Sequence, residues 1–126
     1  MTGAWRPADL ALVDTARELE IAVLRPDGTL RAWTPVWVVR VGEQVYVRSW
    51  YRRTTGWFGH AVSARQAQIR VPGLTAEVAV TDVGDAETDV RADVDAAYRH
   101  KYGEQAAASM VTPAAAATTL RLDPRS

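Results

Sequence analysis

Between Arg48 and Trp57 the chain sets Arg48, Arg52 and Arg53 among Trp50, Tyr51 and Trp57, with Ser49, Thr54 and Thr55 supplying hydroxyls. Guanidinium forks grip phosphate or carboxylate, hydroxyls satisfy the remaining lone pairs, and flat rings stack, so this combination suits a small anionic or phosphorylated aromatic ligand. An arginine-rich solvated face has no use for interleaved aromatic rings. Trp37 lies just upstream and reads as a core or pocket-wall ring. Trp50, Tyr51 and Trp57 suit a dimer interface equally well, and a homodimer is expected.

For acid-base work the candidates are His60 and Tyr51. His60 and His100 are the only histidines, hence the only side chains that titrate near neutrality without a large shift, and His60 falls one helical turn beyond Trp57. Tyr98 and Tyr102 stand four apart on one helix face, as residues packed on a sheet would. No metal site is expected, because two distant histidines and scattered carboxylates lack ligand spacing. Ser-His-Asp patterns and phosphate-cradling glycine loops are absent as well. Asp93 with Asp95, or Asp82 with Asp85, are candidate acid-base pairs, though an acidic run at a helix start is most simply a complement to the helix dipole.

The elements that must position these residues follow from periodicity and turn chemistry. A short helix is expected at about Ala8 to Ala16, with Leu10 and Val13 on one face. Glu18 to Arg25 alternates as a half-buried strand, Pro26-Asp27-Gly28 turns it, and a returning strand is expected from about Thr29 to Arg40. Pro35 interrupts that strand and marks a bulge or an edge. Val36 to Val39, Gly42 and Val45 to Val47 make the central hairpin. One helix is expected over Gly56 to Ala67, strands over Gln68 to Val71 and Leu74 to Val83 around Pro72-Gly73, and the clearest helix over Glu87 to Tyr102, ended by Gly103. That helix should pack through Val90, Val94 and Tyr98. A short helix and loop fill Glu104 to Ala117, and Thr118 to Leu122 closes as a last strand. The order gives an α+β fold, a small barrel of about six mainly antiparallel strands with flanking helices, in one domain over residues 1–126.

Composition narrows the function classes. Fifteen basic residues balance fifteen acidic ones, which removes any general attraction to nucleic acid or acidic membrane. The absence of cysteine excludes disulfides, thiol nucleophiles and Cys-based metal sites. No leader or membrane span is recognised, so a soluble, cytoplasmic protein is expected.

The segments DGTLRAWTPVWVVRVGEQVYVRS, GWFGHAVSARQAQIRV, DAAYRHKYG and TTLRLDPR resemble a bacterial family catalogued as a domain of unknown function, number 2255, over nearly the whole chain. That family in turn is similar to the split-barrel proteins that bind flavin or deazaflavin, including pyridoxamine phosphate oxidases and deazaflavin-dependent nitroreductases. The resemblance lays Arg31, Pro35, Trp37, Val47, Ser49 and Trp57 on the strand, hairpin, polar loop and helix of those proteins. It also sets tyrosines such as Tyr98 and Tyr102 near the ligand mouth. Where deazaflavin reductases carry a basic Gly-Arg-Lys-Ser/Thr-Gly segment, this chain has Arg25-Pro26-Asp27-Gly28-Thr29.

The resemblance implies a split barrel holding FMN or a deazaflavin against Arg31, Trp37, Arg48, Ser49, Arg52, Arg53, Thr54, Thr55 and Trp57, with a two-electron oxidoreduction carried by the cofactor. Two alternatives stand beside it. One is a cofactor-free isomerase or cyclase acting on a hydrophobic metabolite through His60, Tyr51 or an aspartate. The other is a non-enzymatic binding module.

Overall fold

The computed structural model describes residues 3–49, 56–84 and 88–125. Helix α1 (Pro7–Thr15) leads into strand β1 (Leu19–Val23), then β2 (Thr34–Val36), β3 (Val38–Val41) and β4 (Gln44–Val47). Helix α2 (Gly56–Ala64) precedes β5 (Gln66–Val71) and β6 (Leu74–Asp82). Helix α3 (Thr88–Tyr102) is followed by α4 (Glu104–Ala107), a 3₁₀ turn (Ala108–Met110), α5 (Pro113–Ala116) and β7 (Leu120–Pro124). The seven strands form one antiparallel sheet in the order β2-β1-β5-β6-β7-β4-β3, curled into a nearly closed barrel. This is the α+β split-barrel architecture expected from the sequence, with seven strands where about six were expected.

The extra strand comes from one residue. The expected returning strand from Thr29 to Arg40 is two strands at opposite ends of the sheet. β2 pairs with β1, placing Val36 opposite Leu19 and Pro35 opposite Glu20, whereas β3 pairs with β4, Val38 opposite Val47. Trp37 alone joins them. Pro35 has no N–H to offer a further strand and is therefore at home on the β2 edge. The hairpin turns follow their local chemistry. Gly42, at φ +59, takes the first central position of the β3–β4 turn, a conformation that a Cβ would strain. Pro72-Gly73 closes β5 onto β6.

Side-chain alternation along the strands divides the apolar residues between two cores. Val38, Val45, Val47, Leu120 and Leu122 point into the barrel with Ile21, Ile69 and Phe58. Their neighbours Val39 and Tyr46 point outward and meet Val94, Tyr98 and Tyr102 of α3. Wholly buried aliphatic residues such as Ile69 each contribute about 1.5–3 kcal/mol through removal from water. Among the described residues, no helix is long and apolar enough to cross a membrane.

Candidate functional site

A cavity of about 660 Å³ opens where the barrel is split, within the range of small-ligand pockets. One wall is the β2 edge and its exit, Thr34 to Trp37. The other carries Arg48 and Ser49 from the end of β4, Gly56 and Trp57 from the start of α2, and Ser109 and Met110 from the 3₁₀ turn, with Glu18 at the rim. Two indoles, a thioether, a proline and a valine give it apolar character, and the hydroxyls of Thr34, Ser49 and Ser109 supply polar points.

Trp37 is held firmly. Its ring stacks on Tyr102 with centroids 4.3 Å apart and planes 5° from parallel. Its carbonyl accepts a hydrogen bond from Tyr98 Oη at 2.9 Å. The next residue is held too: Val38 N–H donates to Tyr102 Oη at 3.1 Å, and Lys101 Nζ donates to the Val38 carbonyl at 2.9 Å. Lys101 also donates to the Val13 carbonyl at the end of α1, again at 2.9 Å. A phenol has one proton to give, and that of Tyr102 goes to the Arg17 carbonyl at 2.7 Å. At the sheet edge, where a strand partner would otherwise stand, side chains of α3 thus satisfy the backbone at residues 37 and 38. Burial pushes the Tyr98 hydroxyl far above the ordinary tyrosine range and raises Tyr102 as well, while it lowers Lys101.

Arg48 lies deeper than a ligand clamp would. It is 1% exposed. Its Nε donates to Thr119 Oγ1 at 2.8 Å, and Nη1 donates to Asp95 Oδ1 at 2.5 Å and to the Met110 carbonyl at 2.8 Å. The guanidinium sits 5.7 Å from the centroid of the Tyr98 ring. It therefore ties β4, α3, β7 and the 3₁₀ turn together, and the Asp95 carboxylate neutralises its charge. Ser49 follows it, its backbone N–H donating to Thr118 Oγ1 at 2.9 Å.

The other sequence candidates are distributed as follows. Trp37, Arg48, Ser49 and Trp57 meet at the cavity wall. Arg31 is half-buried beside the β1–β2 connection, with its Nε buried and unpartnered and its backbone N–H donating to the Val23 carbonyl. His60 is exposed on α2 and stands off the wall. Tyr51, Arg52, Arg53, Thr54 and Thr55, together with Trp50, lie outside the described residues. Sequence reasoning missed Met110, Ser109 and Glu18; only the folding of the 3₁₀ turn over the end of β4 brings the first two to the site, and no local pattern announces it. No group of metal-ligating residues occurs among the described residues.

The sequence pattern of a family described as an uncharacterized protein conserved in bacteria (DUF2255) matches residues 9–122. The chain belongs to this family. The matched span runs from α1 into β7 and includes every described residue of the cavity wall. No curated protein matches the sequence. Among solved structures, the chain is similar to HutZ, the heme storage protein from Vibrio cholerae, at 13% identity with a TM-score of 0.72, covering 98% of this chain and 92% of that one. It is similar to an F420 reductase at 16% identity and a TM-score of 0.53, covering 91% and 90%. A FAD and heme binding protein from Mycobacterium smegmatis shares 19% identity at a TM-score of 0.58, over 97% of this chain and 66% of that one. These likenesses establish the split-barrel fold.

Proposed function

We propose that this protein binds a planar aromatic ligand bearing an anionic group, of the flavin or deazaflavin class, in the cavity at the barrel split. The observation that carries the reading is a 660 Å³ cavity walled by Trp37 and Trp57. Support comes from the fold, shared with proteins named for F420, FAD and heme. The described residues fit the ring half of such a ligand: indole and thioether surfaces for the ring faces, and hydroxyls of Thr34, Ser49 and Ser109 for ring heteroatoms. Because Asp95 already neutralises Arg48, the anionic end falls to Arg52 and Arg53 with Thr54 and Thr55, and to Arg31, whose Nε has a proton to donate.

A bound flavin or deazaflavin supplies two-electron transfer. The chain's own task is to exclude water from the ring, fix its plane against Trp37, and provide a proton donor, for which Tyr51 is the proposed group, His60 standing off the wall. A homodimer, through Trp50, Tyr51 and Trp57, belongs to the same proposal.

The test is native mass spectrometry with absorbance on the purified protein, followed by titration with FMN, FAD and a deazaflavin while tryptophan fluorescence is recorded. Stoichiometric binding with quenching is expected, and Trp37→Ala should weaken it. If none of the three binds, the reading is wrong.

The neutralised Arg48 favours a second reading, a neutral hydrophobic metabolite that the protein isomerises, cyclises or merely carries. In that case riboflavin, which lacks the phosphate, should bind as tightly as FMN.

A further inference from the structure

Trp37 forms part of the cavity wall, yet almost everything that fixes its indole belongs to α3. Tyr102 covers one ring face at 4.3 Å, nearly parallel. Tyr98 continues the stack, its centroid 6.0 Å from that of Tyr102, and also holds the Trp37 carbonyl. Tyr102 accepts the Val38 N–H, and Lys101 donates to the Val38 carbonyl. Neither tyrosine lines the cavity. Both are buried, and their hydroxyls end on backbone atoms, so neither is arranged to meet a ligand.

We infer that Tyr102 is a positioning residue for the ligand ring. By covering one face of the Trp37 indole it leaves the indole a single orientation toward the cavity, and so presets a flat wall that selects rigid planar ligands. The inference rests on the proposed ring-binding function for its ligand, but the order of the indole is a property of the protein alone.

Two features separate this role from ordinary packing. First, a ligand that stacks on a loose indole must order it on binding, whereas a preset indole has already lost that freedom on folding. Second, stacking and hydrogen bonding by Tyr102 are separable. Tyr102→Phe keeps the ring and removes the oxygen, leaving the Val38 N–H without its acceptor. Tyr102→Leu removes both.

The experiment uses full-length protein labelled with 5-fluorotryptophan. Trp37→Phe assigns the Trp37 line among the five tryptophans, and fluorine NMR is combined with FMN titration and urea unfolding. Wild type should give one narrow Trp37 line without ligand. Tyr102→Phe should be less stable yet keep that line and wild-type FMN affinity. Tyr102→Leu should broaden or split the line and weaken FMN about fivefold or more, in keeping with the worth of an aromatic pair. Ile69→Ala, in the barrel core away from the stack, should lower stability alone.

Affinity that falls in step with stability across all three variants would make Tyr102 merely structural. A Trp37 line that stays single and narrow in Tyr102→Leu would overturn the inference. So would several Trp37 lines in unliganded wild type, a measurement that stands even if Tyr102→Leu fails to fold. If wild type binds no FMN or deazaflavin while the line behaves as expected, the ligand reading has failed and the positioning of the indole has not.

Discussion

Inside the barrel, Ile21, Ile69, Val47, Leu120 and Leu122 pack as aliphatic surface against Phe58, and their stabilisation is indifferent to direction. Beneath α3, by contrast, Tyr98 and Lys101 donate directed hydrogen bonds to the carbonyls of Trp37 and Val38, Tyr102 accepts one from the Val38 N–H, and Arg48 anchors the same helix through Asp95. The barrel interior tolerates small rearrangements of shape. The seam is directional, because its donors and acceptors are held in fixed pairings. The cavity at the barrel split sits against the seam, where a wall residue can be fixed in orientation as well as in place.

The sharpest way to break this contrast is Asp95→Ala. It strands a guanidinium that is 1% exposed, and the loss should be about 3–5 kcal/mol by urea unfolding. A loss below about 1 kcal/mol would show that hydration replaces the carboxylate easily and that the seam is no more directed than the barrel. In the barrel, Ile69→Ala should cost about 3 kcal/mol, with the cavity left behind setting the spread.

A titration sharpens the comparison further. Burial raises the folded-state pKa of Tyr98 and Tyr102 above the ordinary 10.0. The unfolded chain therefore sheds these protons first, so their contribution is fully present below pH 10 and is lost as pH rises beyond it. Tyr98 should remove at most about 1.4 kcal/mol per pH unit in that window, and Tyr102 less. Lys101 acts in the opposite sense. Burial lowers its folded-state pKa below 10.5, so the unfolded chain holds this proton longer and the penalty eases as pH rises toward 10.5. Tyr46, also raised by burial, acts with the other two phenols, and the Lys101 effect is complete by about pH 10.5, so the urea midpoint should fall between about pH 10.5 and about pH 11.5. A flat midpoint would contradict the burial of the phenols. The smallest expected effect is Tyr98→Phe at neutral pH, about 1 kcal/mol for one hydrogen bond to the Trp37 carbonyl.

Much of the fold was legible because local chemistry and tertiary placement agree. Gly42, Pro72-Gly73 and Gly103 ended their elements where turn and cap rules put them. Val90 and Val94 at helical spacing marked the face α3 buries. The break at Trp37 was hidden, since Val36 to Val39 is a β-branched and aromatic run with no punctuation, and only the closure of the sheet requires the chain to change edges there. At the site, Trp57 was readable as an aromatic residue hard to place in a core, and Trp37 as a core or pocket-wall ring. The commitment of Arg48 to Asp95, Thr119 and Met110 was not, because its partners lie 47 to 71 residues away and a sequence shows the arginine without showing what answers its charge.

The single-residue link between β2 and β3 carries a mechanical consequence. The two strands stand at opposite ends of the sheet, yet their nearest residues, Val36 and Val38, cannot move more than about 7 Å apart, two Cα steps along the chain. The split is therefore tethered covalently. When α3 swings away, the slit beside Trp37 can widen and admit solvent to the Val38 amide, but the sheet cannot unroll from that end. Hydrogen exchange at Val38 should then report the breathing of α3 well before the β5–β6 amides report global unfolding.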